Sequence, residues 1–320
     1  MIVRLGSGAA VAAAAMLAFT GVGVATGVFS AAHAAETAAV ADPNRLFADS
    51  KLWVGDRISV EVVGSGPDVI FVPGLSSSRT TWKRTAERLR GHYRLHLVQV
   101  AGFAGEPVRG NATAPVVEPT AEAIDAYIVA NKLAPATYVG HSLGGTMGLY
   151  LVQKHPEHYR KVMLVDSLPF FGVLQGGPSA TSESLRPQVD KMRAQMSGGG
   201  KMPPAMMKGM AQGMAKSAEG QAEIETAGNR STGQVVANAM AEDTLLDLRP
   251  GLPAMTTPIT LVYPFDPGMG VPEAQWDGLY KGQFAPLKTT TLVRVDDSRH
   301  FVMFDQPVKF DAALDAFLAK

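Results

Sequence analysis

Residues 136–154 constrain the fold of this chain more than any other stretch. A β-branched run, Ala136 to Val139, leads into Gly140-His141-Ser142-Leu143-Gly144-Gly145, and a helix-capable run, Thr146 to Lys154, leads out. A strand that turns at once into a helix brings its two arms so close that only small residues fit on both sides of the turn, and Gly140 and Gly144 supply them. Ser142, between them, is expected on a strained backbone with its hydroxyl held clear of the sheet. The next amides would open the helix, whose positive N-terminal end favours a developing anion.

The remainder of the chain repeats this strand–helix grammar. Arg57 to Val63 alternates and ends at the turn signal Gly64-Ser65-Gly66-Pro67. Asp68-Val69-Ile70-Phe71-Val72 is a continuous apolar run, as a buried parallel strand requires, and stops at Pro73-Gly74-Leu75-Ser76. Thr80 to Arg90 reads as a helix, Tyr93 to Val100 as a strand, and Glu118 to Lys132 as a helix with Ile124, Tyr127 and Ile128 on its apolar stripe. After the turn at Ser142 comes Lys161 to Val165, another buried strand. Alternation of this kind predicts an α/β fold, a mostly parallel central sheet with helices on both faces.

The rhythm breaks between residues 170 and 245, which hold no strand-like run. Met192 and Met196, then Met206, Met210 and Met214, recur in steps of four, which puts each set on one helix face. This region is expected to be an inserted helical cap, its methionines packing short helices together, with Ser197-Gly198-Gly199-Gly200 as a joint. The core is then divided into residues 51–169 and 246–320. Its second part holds the strands Pro258 to Tyr263 and Thr289 to Val295 and a terminal helix, Pro307 to Leu318.

Composition removes several classes of function. Lys and Arg together number 29, as do Asp and Glu, so nothing calls for a nucleic-acid or polyanionic partner. The absence of cysteine excludes disulfides, thiolate metal sites, a thiol nucleophile and a lipid-modified cysteine anchor. No metal, nucleotide or flavin signature is present, and no cofactor is expected. His92 and His96 are expected to be structural or solvated, and His155 and His158 to be exposed near a helix end. Met1 to Arg4 carries one positive charge, Ala9 to Phe29 is almost wholly apolar or small, and Ala32-His33-Ala34 offers an A-x-A site. These are the parts of a secretory signal peptide over residues 1–35, with residues 36–50 a flexible lead-in. The apolar run is also long enough to stay as an uncleaved anchor across a bilayer; either way the rest of the chain is expected to be periplasmic or secreted, with no stable membrane insertion once the leader is cleaved.

In a parallel sheet, residues just past the carboxyl ends of the strands gather at one edge. Ser142, Leu75, Asp266 and His300 all take such positions. A serine hydroxyl is a weak nucleophile until an imidazole takes its proton, and the imidazole needs a carboxylate on its far nitrogen. The order Ser, Asp, His along the chain is the one this scaffold uses. Backbone amides of Leu75 and Leu143 would form an oxyanion hole.

From residue 57 to the C-terminus the chain resembles an α/β-hydrolase of the serine esterase or lipase type with a helical cap. Gly140-His141-Ser142-Leu143-Gly144-Gly145 carries the nucleophile motif and Ser298 to Pro307 the motif of the base. The resemblance implies Ser142 as nucleophile, His300 as base and Asp266 as the acid after the strand that follows the cap. Asp166, at the end of the strand after the elbow, is where some relatives place the acid instead. Pro73-Gly74 stands where many relatives have His-Gly. The implied activity is cleavage of a small-molecule carboxylic ester or related acyl bond in a partly hydrophobic substrate, through an acyl-enzyme. Lactone or carbon–carbon bond hydrolysis, perhydrolysis, and a ligand-binding or receptor-like protein with little turnover are the alternatives.

Overall fold

The computed structural model describes residues 44–198 and 202–319; the expected leader and the glycines at 199 and 200 lie outside them. The strands are β1 (Lys51–Val54), β2 (Ile58–Gly64), β3 (Asp68–Val72), β4 (Arg94–Val100), β5 (Ala136–His141), β6 (Tyr159–Val165), β7 (Ile259–Phe265) and β8 (Thr290–Asp296). They form a single sheet in the order β1-β2-β4-β3-β5-β6-β7-β8. The β1–β2 and β2–β4 pairs are antiparallel and every other pair is parallel.

Helices α1 (Lys83–Leu89), α2 (Val117–Ala130) and α3 (Leu143–Lys154) alternate with the strands of the first half. Then α4 (Val173–Gly176), α5 (Ser182–Ser197), α6 (Pro204–Met214), α7 (Ala218–Arg230) and α8 (Gly233–Leu245) follow one another between β6 and β7. The chain ends with α9 (Glu273–Phe284), α10 (Val302–Asp305) and α11 (Pro307–Leu318).

Successive residues of a strand face opposite sides, and in β3 this divides the core in two. Ile70 and Val72 join one cluster with Ile124, Met147 and Phe284, so α2, α3 and α9 cover that face. Val69 and Phe71 join the other with Trp82, Leu89, Phe310 and Phe317, so α1 and α11 cover the opposite face. With both faces buried, a strand needs no polar alternation, which is why β5 and β7 are buried at every position.

Residues 44–50, expected as part of a flexible lead-in, are instead docked on the sheet. The buried Glu61 carboxylate in β2 accepts hydrogen bonds from the Leu46 amide (2.9 Å), the Phe47 amide (2.8 Å) and Ser50 Oγ (2.6 Å). A carboxylate taken out of water needs such donors, and this short segment supplies them.

The helices between β6 and β7 are bonded to the loop past the carboxyl end of β4: Ser231 Oγ accepts from the Ala104 amide (2.8 Å), and the Thr232 amide donates to Gly102 O (2.8 Å). Thr181 and Ser184 close a reciprocal capping box at the start of α5. Glu242 of α8 accepts from the Val116 (2.8 Å) and Val117 (2.7 Å) amides, capping the start of α2.

Candidate active site

Ser142 sits at the elbow between β5 and α3 with φ +52° and ψ −122°. That conformation costs a non-glycine residue on the order of 1–3 kcal/mol and persists only where its surroundings enforce it. Here the Ser142 amide donates to Val165 O (2.9 Å), tying the elbow to β6. The flanking glycines are forced by close approach. A Cβ on Gly140 would lie 2.3 Å from Gly144 O, and one on Gly144 would lie 2.5 Å from Val72 O. The Leu143 amide is the first of α3 and has no partner within the helix. The loop after β3 packs on the same elbow: a Cβ on Gly74 would be 3.0 Å from the Ser142 Cβ. Leu75, half-buried, follows directly.

His300 and Ser142 line one cavity of about 340 Å³. The partner of His300 is Asp166, whose Oδ2 lies 2.6 Å from Nδ1, so Nε2 is the ring nitrogen outside that pair. Asp166 follows β6 at φ +47°, a region that Asp enters more readily than most residues. Its other oxygen, Oδ1, accepts a hydrogen bond from the Tyr280 hydroxyl of α9. Tyr280 is buried, stacked on Tyr263 at 4.5 Å between ring centres. Burial, with the Asp166 charge beside it, pushes the Tyr280 hydroxyl far above its ordinary range, so it remains a donor.

The expected acid, Asp266, does not meet His300. Val165 pairs with Val262, so Asp266 lies three residues farther out along β7 than the level of Asp166, about 10 Å at ~3.3 Å per residue. The strand was expected to stop at Tyr263 but runs through Pro264 to Phe265. There Asp266 Oδ2 accepts from Arg299 Nε (2.8 Å), and Oδ1 accepts from Lys216 Nζ (3.0 Å) and the Gly268 amide (3.2 Å). Burial raises its pKa, but these donors outweigh burial and leave it below the usual carboxylate range.

A second carboxylate joins the same elements. Asp305 Oδ1 accepts from the Lys216 and Ser217 amides, and its Oδ2 from the Arg299 amide, each at 2.9 Å. The link between α6 and α7 is thus fastened to the loop that carries His300. Nothing in the sequence marked Tyr280 as a partner of this site, and Asp305 appeared only as part of the motif around His300, because Asp166 and residues 216–217, which they hold, are remote from them in the chain.

His141 is fully buried, and its Nε2 lies 3.0 Å from His300 O. A carbonyl can only accept, so Nε2 carries the proton. Burial, followed by the nearby His300 charge, holds the His141 pKa well below its ordinary value. A neutral ring therefore braces the His300 backbone and takes no proton from Ser142. His96 is also buried, between Asp68 (2.8 Å) and the Tyr127 hydroxyl (2.7 Å), remote from the cavity. The cavity wall is largely apolar, with Leu168, Phe171, Leu174, Met214, Met269 and Trp276.

Residues 69–313 match the sequence model of the alpha/beta hydrolase family. The chain belongs to that family. Among curated relatives, the chain is 34% identical over 114 residues to a pimeloyl-[acyl-carrier protein] methyl ester esterase of Aeromonas salmonicida, covering 36% of this chain and 43% of the relative. It is 31% identical over 111 residues to the esterase of that name from Vibrio cholerae, covering 35% and 41%. The chain therefore spans less than half the length of the curated relatives it matches. Among solved structures, a thermophilic esterase from Thermogutta terrifontis superposes with a TM-score of 0.64 at 18% identity, over 82% of this chain and 94% of that one. An enol-lactonase from Burkholderia xenovorans gives 0.60 at 17% identity, over 82% and 96%. Among the described residues, no helix is long and apolar enough to cross a membrane.

Proposed function

We propose that this chain is an exported serine hydrolase that cleaves a carboxylic ester or related acyl bond, with Ser142 as nucleophile, His300 as base and Asp166 as the orienting acid. The observation that carries the reading is the strained Ser142 elbow opening on the same cavity as an imidazole whose Nδ1 is held by a carboxylate. Esterase names among the sequence relatives support it.

In the proposed reaction His300 Nε2 takes the Ser142 proton as Oγ attacks the carbonyl carbon, and the carbonyl π pair moves onto oxygen. The Leu143 and Leu75 amides stabilise that oxyanion; the first opens a helix, and the second lies on a loop packed against the elbow. His300 then protonates the leaving alcohol, giving an acyl-enzyme on Ser142, and a water activated by the same imidazole releases the acid. Asp166 fixes the tautomer with the proton on Nδ1. The apolar wall suits an acyl or aromatic group without charge.

Export rests on the three-part leader over residues 1–35. One experiment tests both parts. Chain recovered from the extracytoplasmic fraction of a bacterial host is treated with a fluorophosphonate and its intact mass is read. A single adduct, absent from Ser142→Ala, supports the nucleophile, and folded protein that fails to react refutes it. Independently, a mass lacking residues 1–34 or 1–35 supports cleavage, and an intact N-terminus in the cytoplasmic fraction alone rules out export.

A further inference from the structure

At the opposite edge of the sheet, a second constellation of ionisable side chains has no part in the chemistry above. Glu122 and Asp125 lie three residues apart on α2 and therefore on one face. Facing them, His155 and His158 flank the short turn that leads from α3 into β6. His155 Nε2 is 3.0 Å from Glu122 Oε2, and His158 Nδ1 is 3.0 Å from Asp125 Oδ1 and 3.1 Å from Oδ2. Asp125, His155 and His158 each present one ligand atom, all within 4.8 Å of one another, and this is the one such group of three among the described residues. Neither histidine is simply exposed, as the sequence had suggested; both are half-buried against these carboxylates.

We propose that Asp125, His155 and His158 form a binding site for a divalent transition-metal ion, with Glu122, which lies outside that group of three but 3.0 Å from His155, swinging in as a fourth ligand. Two imidazoles and two carboxylates without a thiolate suit zinc, cobalt or nickel rather than calcium or magnesium, which take oxygen ligands. The carboxylates are already oriented from behind. The Tyr150 hydroxyl donates to Glu122 Oε1 (3.0 Å) and the Tyr159 hydroxyl to Asp125 Oδ1 (2.8 Å), the outer hydrogen bonds that metal carboxylates commonly receive. Ligand bonds of about 2.0–2.2 Å require these atoms to close by roughly 1 Å. His155 and Glu122 have that freedom, at 30% and 42% side-chain exposure, while Asp125, at 8%, is the fixed point.

The seven residues of β6 separate this cluster from Asp166, about 20 Å along the strand. Metal there would tie α2 to the α3–β6 connection and stabilise the fold without touching the reaction. Nothing in the proposal depends on the hydrolase reading.

The test uses untagged, chelator-treated full-length chain titrated with zinc by calorimetry and with cobalt by visible absorption. One ion per chain is expected, with Kd of about 10 μM or tighter, weaker at pH 5 where protons compete for the imidazoles. The melting temperature should rise by about 5 °C at a hundredfold excess of ion over Kd. His155→Ala/His158→Ala, and separately Glu122→Gln should the first misfold, should weaken binding at least about tenfold. No saturable binding, or binding undiminished in a folded variant, overturns the proposal.

Discussion

Replacing each candidate acid by its amide separates two readings that the sequence alone leaves close together. In Asp166→Asn the Tyr280 hydroxyl still donates toward the side chain, so the amide oxygen turns to Tyr280 and its NH2 group to His300. Facing a donor, Nδ1 becomes an acceptor and the imidazole proton moves to Nε2. The nitrogen that should take the Ser142 proton is then occupied. Comparable removals of a triad acid lower kcat about ten-thousandfold, which is about 5 kcal/mol of transition-state stabilisation. A kcat loss of about a thousand- to ten-thousandfold with little change in KM is expected for Asp166→Asn. Asp266→Asn should keep kcat within about fivefold. Its partners Arg299 and Lys216 are 24% and 33% exposed and regain water, so stability should fall by only about 1–2 kcal/mol. The assay is steady-state hydrolysis of a short-chain nitrophenyl ester, with circular dichroism to verify folding. A larger kcat loss in Asp266→Asn than in Asp166→Asn would refute the argument.

Two further substitutions probe the surroundings of the same site. Tyr280→Phe keeps the stacked ring but removes the donor on Asp166 Oδ1, returning charge to the oxygen that faces His300. We expect kcat to fall about tenfold at constant KM; unchanged kcat would deny Tyr280 a positioning role. Asp243, in α8, is buried with Oδ1 unpaired, and burial raises its pKa to about 7. A carboxyl that titrates higher folded than unfolded has no effect on stability below about pH 4 and destabilises increasingly up to pH 7. Asp243→Asn should therefore stabilise the protein at pH 8 by up to roughly 4 kcal/mol and hardly at all at pH 4, and equal melting shifts at both pH values would contradict the assignment.

The sheet was readable because a strand buried on both faces must be a near-continuous apolar run, and Asp68 to Val72 and Lys161 to Val165 have few other uses. The elbow was readable because its glycines answer to collisions with backbone atoms, which leave no substitute residue. Alternation misled at β2. Ser59 and Glu61 look like a solvated face, yet both are buried, one against Arg79 and the other under residues 44–50. A polar residue states that it needs partners, not whether those partners are water. Between β6 and β7 the methionine spacing gave helix faces, but which of them lines the cavity depends on packing between distant segments. Met214 does so, while Met192 is buried in the core.

Asp266 was expected beside His300, and it lies elsewhere for a reason of strand stagger. Composition marks where a strand begins and roughly where it ends, but not how far it projects past its neighbours. Across β5 and β6, His141 is level with Val165, which sets Ser142 beside Asp166 on adjoining strands about 4.8 Å apart. Across β6 and β7, Val165 is level with Val262, and β7 then continues past Pro264, whose carbonyl accepts from Trp276 Nε1 at 2.5 Å. The strand thus carries Asp266 beyond the level of Asp166 and into the reach of Lys216. The chain order Ser, Asp, His survives with either carboxylate, so order could not discriminate between them. Asp-Pro-Gly is itself a turn sequence, and the Asp266 side chain accepts from the Gly268 amide as such turns do. A carboxylate already held by its own turn, an arginine and a lysine has no lone pair directed at an imidazole. Asp166, offered only a hydroxyl and a histidine, has one.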